Sequence, residues 1–295
     1  MTQSILTAAS EHATLSPSTT PAPARGSLAL ATASLWRREM VRFFRQRSRV
    51  VGAFAQPLLF WLVIGLGVGK SMAIGAGNTT AAGSASSDHM NYLVFFYPGT
   101  IVMMLLFTAI FSTISVIEDR REGFLQGVLV APIPRLAIVL GKVFGGASVG
   151  MIQGLILLAA WPLIGGWPGF LPMIEGAAVM ALLAIALTSL GLCVAWPMRS
   201  TAGFHGIMML FLLPMWMLSG SLFPVTGAVG LIKSLMYCNP LMYGYAAFSA
   251  IITGSSQGVG APVSVLPALL VTVAFTVVML AAAVAIVRRP SEGGV

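Results

Sequence analysis

Charge is the scarcest property of this 295-residue chain: Asp, Glu, Lys and Arg make up 8% of it, against 57% hydrophobic residues. A soluble domain of that length needs far more charge to cover its surface, so a water-soluble globular protein is excluded. Cysteine is nearly absent. Cys193 and Cys238 stand apart, with no paired spacing and no histidine cluster nearby, so neither a disulfide framework nor a metal site is expected. Titratable groups are missing where an ion relay would need them, because Ser234 to Val287 holds no Asp, Glu, Lys, Arg or His. Ionisable residues inside a membrane usually mark ion or proton paths, so an ion-coupled secondary carrier is kept only as an alternative. A phosphate-binding loop is missing too. Gly69-Lys70-Ser71 has the ending of one, but Ile64 stands where that loop needs its first glycine. This chain is not expected to hydrolyse ATP.

What is present is long apolar sequence. Six runs reach or approach the roughly 20 residues that cross a bilayer: 50–68, 93–117, 143–164, 176–196, 206–223 and 263–287. The expected fold is an all-α polytopic membrane protein. Its basic residues segregate: with the N-terminus inside, fourteen of the sixteen Lys and Arg fall on the inner side, and only Lys70 and Lys233 fall outside. That bias places both termini in the cytoplasm. The net charge of +8 therefore anchors helices at headgroups and does not point to nucleic acid. Residues 231–252 could pass for a seventh span, but Asn239-Pro240 splits them into halves too short to cross. An outer re-entrant helical hairpin between spans five and six is expected there.

Residues 1–32, rich in Ser, Thr, Ala and Pro, read as a disordered tail, and 290–295 as a short cytoplasmic one. Between tail and first span, 33–49 reads as an amphipathic interfacial helix. It gathers Arg38, Arg42, Arg45 and Arg49 on a basic face and Trp36, Met40, Phe43 and Phe44 opposite. Anionic lipid at the inner leaflet suits that basic face. The transmembrane domain proper is expected over 50–289.

Gly146-Ala147-Ser148-Val149-Gly150 matches a serine nucleophile elbow, and an intramembrane serine hydrolase using Ser148 is the other alternative. That motif activates serine only on a strand-to-helix turn with histidine in reach. Here it lies in an apolar helical run, and His205 is the one candidate partner. Packing suits it better: Gly146, Gly150 and Gly154 form a small-residue ridge for close helix approach. The inner loop 118–142, EDRREGFLQGVLVAPIPRLAIVLGK, holds a short run with Phe124, Leu125, Val128 and Leu129 on one side, ended by Pro132 and Pro134. Such a run calls for a cytoplasmic partner or the membrane surface.

That loop resembles the segment after the second span in ABC-2-type permeases. Met217 to Pro224 (MLSGSLFP) and Leu235 to Tyr245 (LMYCNPLMYGY) resemble the family's second signature, and the similarity covers about 37–289. One departure is that Gly244 to Gly254 is uncharged, where family members often carry charge. The resemblance implies the permease subunit of an ATP-driven exporter, paired with a second permease copy. An ABC nucleotide-binding subunit would use the ATP and Mg, with no cofactor or metal bound by this chain. It also implies that Glu118 to Leu129 forms a coupling helix, with Glu118, Arg121, Glu122, Gly123, Phe124, Leu125 and Leu129 toward the ATPase. Ser219, Gly220, Pro224, Asn239, Pro240 and Tyr243 would shape an outer gate. Drug-efflux permeases and lipo-oligosaccharide exporters of bacterial inner membranes are the look-alikes, and an amphipathic or lipid-linked cargo would suit Met208, Met209, Phe211, Met215, Trp216 and Met217. Lipid contact and core packing explain that stripe equally well.

Overall fold

A computed structural model describes residues 27–75, 85–258 and 260–289. The tails 1–26 and 290–295 lie outside the described residues. The chain is mostly helical. In order it forms α1 (Leu28–Arg45), α2 (Arg47–Gly75), α3 (Ala85–Ser112), α4 (Ile114–Arg121), α5 (Phe124–Val130), α6 (Arg135–Ile164), α7 (Phe170–Ala195) and α8 (Thr201–Trp216). A π-helical turn (Met217–Ser221) leads to α9 (Gly230–Cys238), α10 (Pro240–Thr253), two short strands β1 (Gln257–Gly258) and β2 (Ala261–Ser264), and α11 (Val265–Arg288).

By length and composition, five helices among the described residues can cross a membrane, and α3 continues into α4 as one of them. A sixth arises if Leu28–Arg45 and Val50–Gly65, which meet at 83°, count as one bent span. The protein is therefore a multi-pass membrane protein. α3 is its centre: the apolar window over Tyr92–Arg121 is 89% buried, against 22% for the windows in α8 and α11. Helices α2, α6, α7 and α10 pack around α3, and α11 packs on α7 and α10. Lipid tails supply no hydrophobic drive between helices, so fit and hydrogen bonding hold the bundle. Thr108 donates to Gln153 Oε1 at 2.7 Å between α3 and α6, and Thr276 to Leu182 O at 3.3 Å between α11 and α7.

Several boundaries differ from the sequence reading. The amphipathic helix runs 28–45, not 33–49, and breaks at Gln46, so Arg47 and Arg49 belong to α2. Leu35 and Glu39 of α1 dock on α6, where a Cβ at Gly141 or Gly145 would lie only 2.6 or 2.7 Å from them. The expected all-helical fold also carries the small antiparallel hairpin β1–β2. Gly260 (φ +81°) turns that hairpin, and its carbonyl accepts the Val225 N–H at 2.7 Å. Residues 231–252 do break at Asn239. The Asn239 side chain caps α10 through the Leu241 N–H at 3.0 Å, with Pro240 at the first helical position.

Candidate functional site

At the end of the bundle where α1, α4, α5 and α6 meet, the expected coupling helix over 118–129 is two elements. α4 ends at Arg121, and Gly123 adopts φ +77° before α5 begins. That left-handed backbone costs a residue with a side chain about 1–2 kcal/mol, so glycine is what permits the break. Of the coupling residues named from sequence, Leu125 is buried (2% exposed), while Phe124, Leu129, Arg121 and Glu122 are exposed. Val130, not singled out from sequence, is 87% exposed. α5 thus leaves Phe124, Leu129 and Val130 exposed among the described residues, although Arg38 stacks on the Phe124 ring at 3.7 Å. Arg120 and Arg121 turn back instead, donating to the carbonyls of Met198 and Arg199 at 3.1 Å each. They tie α4 to the α7–α8 turn.

Behind α5 lies a cluster of charges. Asp119 is wholly buried and accepts two bonds from Arg38 (2.8 and 2.7 Å) and one from Arg42 (2.7 Å). Lys142, 5% exposed, donates to Asp119, to Glu39 at 2.5 Å and to Ser115 Oγ at 3.1 Å. Arg42 also reaches Glu118 at 2.7 Å. Every one of Lys142's three N–H donors has a partner, the condition under which burying an ammonium is tolerable. This corrects the reading of α1. Arg38 and Arg42 are paired with carboxylates of α4; Arg45 remains exposed, and the Arg49 side chain lies outside the described residues. The buried stripe of α1 is Leu35, Glu39 and Phe43, a carboxylate included, because α6 brings Lys142 opposite it. Trp36 and Phe44 stay exposed.

Opposite this end, the residues carried over as an outer gate are joined by internal bonds. Ser219 Oγ, fully buried, donates to Trp216 O at 2.6 Å. Gly220 (φ +86°) lets the backbone run against Gly260 O, 3.2 Å from where a Cβ would stand. Asn239 Nδ2 donates to Met215 O at 2.6 Å, and Tyr243 OH to Tyr237 O at 3.0 Å. Pro224 precedes a short 3-10 turn. Sequence reasoning missed Gly260 and Gly99: a Cβ at Gly99 would sit 2.5 Å from Ser221 Cβ.

The glycine ridge of α6 divides. A methyl at Gly146 would overlap Ser112 and Thr188, and one at Gly154 would overlap Met180, whereas Gly150 has 3.5 Å to Leu105. Ser148 lies in the middle of helix α6 and accepts a hydrogen bond from Trp36 Nε1 at 3.0 Å, so no strand-to-helix turn presents it. Ser148→Ala is expected to cost about 0.6 kcal/mol, the typical worth of an interhelical hydrogen bond in a bundle of this kind. Melting of the detergent-solubilised protein checks it, and a loss of several kcal/mol would mean that this side chain does more than accept one bond.

Between the α1–α2 bend, α3 and α8 a cleft of about 200 Å³ is lined by Phe43, Gln56, Met104, Phe107, Thr108 and His205, among others. Phe43, Phe107, Phe111, Met104, Pro57 and Ile114 make its apolar walls, and Gln56, Thr108, Ser112 and His205 are its polar points. The Met-rich stripe of α8 does not act as one face: Met208 and Trp216 are buried, and Met209, Phe211 and Met217 point outward.

The chain is similar to Nodulation protein J of Rhizobium meliloti (strain 1021), 25% identical over 226 residues, covering 75% of this chain and 81% of that one. It is also similar to the "Probable doxorubicin resistance ABC transporter permease protein DrrC" of Mycobacterium tuberculosis, 21% identical over 254 residues (85% and 87%). The "Probable multidrug ABC transporter permease YbhR" of Escherichia coli (strain K12) matches at 28% over 164 residues (53% and 43%). The family model for the ABC-2 type transporter matches residues 31–253. That stretch runs from α1, through the charge cluster and the α5 break, to the end of α10; the chain belongs to the ABC-2 type transporter family and is a membrane subunit of an ABC transporter.

Proposed function

We propose that this chain is the permease of an ATP-driven exporter, powered by a separate nucleotide-binding subunit that docks on α5. The observation carrying this reading is the exposure of three apolar side chains, Phe124, Leu129 and Val130, around a seven-residue helix, too short to cross a membrane. The helix lies at the end of the bundle where Arg38, Arg42, Arg120 and Arg121 gather, which the positive-inside rule assigns to the cytoplasm. Six spans with both termini inside follow from that assignment. The α9–α10 pair then forms an outer re-entrant hairpin, and the tails 1–32 and 290–295 flank the membrane domain on its inner side. The partner supplies the site for ATP and Mg. A second permease copy, identical or related, completes the pathway in a bacterial inner membrane.

An amphipathic or lipid-linked cargo suits the cleft beside the α1–α2 bend, whose aromatic walls take apolar surface while Thr108, Gln56 and His205 meet a polar group. Relatives whose names mention doxorubicin, multidrug transport and nodulation support that class of cargo. The test is recovery of an ATPase subunit with the tagged chain purified from its own membrane. Val130→Asp should weaken that association at least about tenfold, because a charge would be desolvated in an apolar contact. Glu122→Lys should abolish stimulated ATP hydrolysis while leaving the fold intact. Unchanged association and turnover in both variants would remove α5 from the role.

A further inference from the structure

Gly123 poses a mechanical problem for any force applied to α5. Two residues, Glu122 and the left-handed Gly123, join α5 to α4, and such a link bends before it pushes. A second connection bypasses it. Phe124, the first residue of α5, lies against the guanidinium of Arg38 on α1. The same guanidinium holds Asp119 on α4 by two hydrogen bonds. Asp119 is bonded to Lys142 on α6, and Lys142 returns to α1 through Glu39 at 2.5 Å. Gly141 and Gly145, on either side of Lys142 in sequence, are what bring α1 close enough for these bonds.

We infer that this charge cluster is a rigid joint that fuses the docking helix α5 to α1 and α6, and that Lys142 and Glu39 are positioning residues for power transmission. This rests on the α5 docking reading above. The physical reason is that a buried, fully partnered set of charges has one good arrangement. Separating any member strands an ion in low dielectric, so the joint turns as a body, whereas an apolar contact could slide. Interior packing with discrete arrangements is what carries displacement between sites.

The test uses the full chain with Cys193 and Cys238 replaced by Ser and spin labels placed at Gln126→Cys on α5 and Leu163→Cys at the far end of α6, both exposed positions. Distances are read in lipid vesicles for the chain alone, and for its complex with the ATPase subunit with and without vanadate-trapped nucleotide. One narrow distance, unchanged by nucleotide, is expected for the unsubstituted joint and for Lys142→Arg. Glu39→Gln/Lys142→Met removes one charge of each sign and keeps the Asp119 pairs with Arg38 and Arg42. It should roughly double the width of the distribution while ATP hydrolysis and co-purification persist, and Glu39→Gln alone should fall between. A narrow distance in the double variant, or a broad one with the joint intact, overturns the inference. Loss of hydrolysis and assembly together with the narrow distance overturns it as well, since the residues would then be structural only. Failure of the ATPase to associate with the unsubstituted chain would sink the docking reading instead, and the distances measured on the chain alone would still decide this one.

Discussion

Asp119→Asn is expected to destabilise the fold by about 3–5 kcal/mol, the cost of removing one partner from a buried ion pair. The side chain has no exposure to solvent, and three cations from two other helices converge on it. Asparagine keeps the shape but turns an N–H donor toward one of those cations and leaves Arg38, Arg42 and Lys142 to share Glu39, Glu118 and Glu122. Lys142, 4% exposed, has almost no water to replace the lost carboxylate. The measurement is thermal unfolding of the detergent-solubilised protein with folded yield after size exclusion. Glu118→Gln is the control: its carboxylate is 29% exposed, so its pair with Arg42 should be worth about 0–1 kcal/mol. Equal melting of the two variants would show that burial does not set the value of Asp119.

Gly146→Ile is expected to have the next largest effect, about 1–3 kcal/mol or more, because the added atoms are forced into a filled interface. The neighbours cannot swing away easily. Ser112 Oγ is held on Ala109 O at 2.6 Å and Thr188 Oγ1 on Ala184 O at 2.7 Å. The helices must therefore separate, opening the α3–α6–α7 contact at the centre of the bundle. Gly150→Ala, one helical turn away, meets Leu105 at an ordinary 3.5 Å and should leave stability within about 0.5 kcal/mol of the parent. Folded yield and melting temperature of the pair decide it. A tolerated Gly146→Ile would mean that the ridge does not set the helix spacing.

The two glycines look alike in sequence, at four-residue spacing in one apolar run, and only the packing separates them. The reverse holds at Asn239-Pro240, where the break was readable because proline cannot continue a helix and asparagine caps the next one. At Gly123 the loop was readable as a short amphipathic segment, yet its division into α4 and α5 was not, since a glycine tolerates helix and left-handed turn alike. The β1–β2 hairpin gave no signal: its strands are two and four residues long, below what alternation can reveal.

Arg38 and Arg42 show the same limit from the other side. Their spacing gave the correct helix face and the wrong partner. Amphipathicity says that a face needs something polar opposite it, and both lipid phosphate and a carboxylate qualify. The carboxylate lies 81 residues away from Arg38 in sequence, and Lys142 stands 103 residues from Glu39.

Sequence alone determined that this chain lives in a membrane and roughly where its helices run. Those properties follow from hydropathy and local backbone chemistry, which each residue carries regardless of its neighbours in space. Tertiary structure alone decided which charges are buried together, which glycines face a filled interface, and which apolar side chains of α5 stay exposed among the described residues. Ion pairing and close packing depend on distances between segments far apart in the chain, and those distances exist only once the helices have assembled.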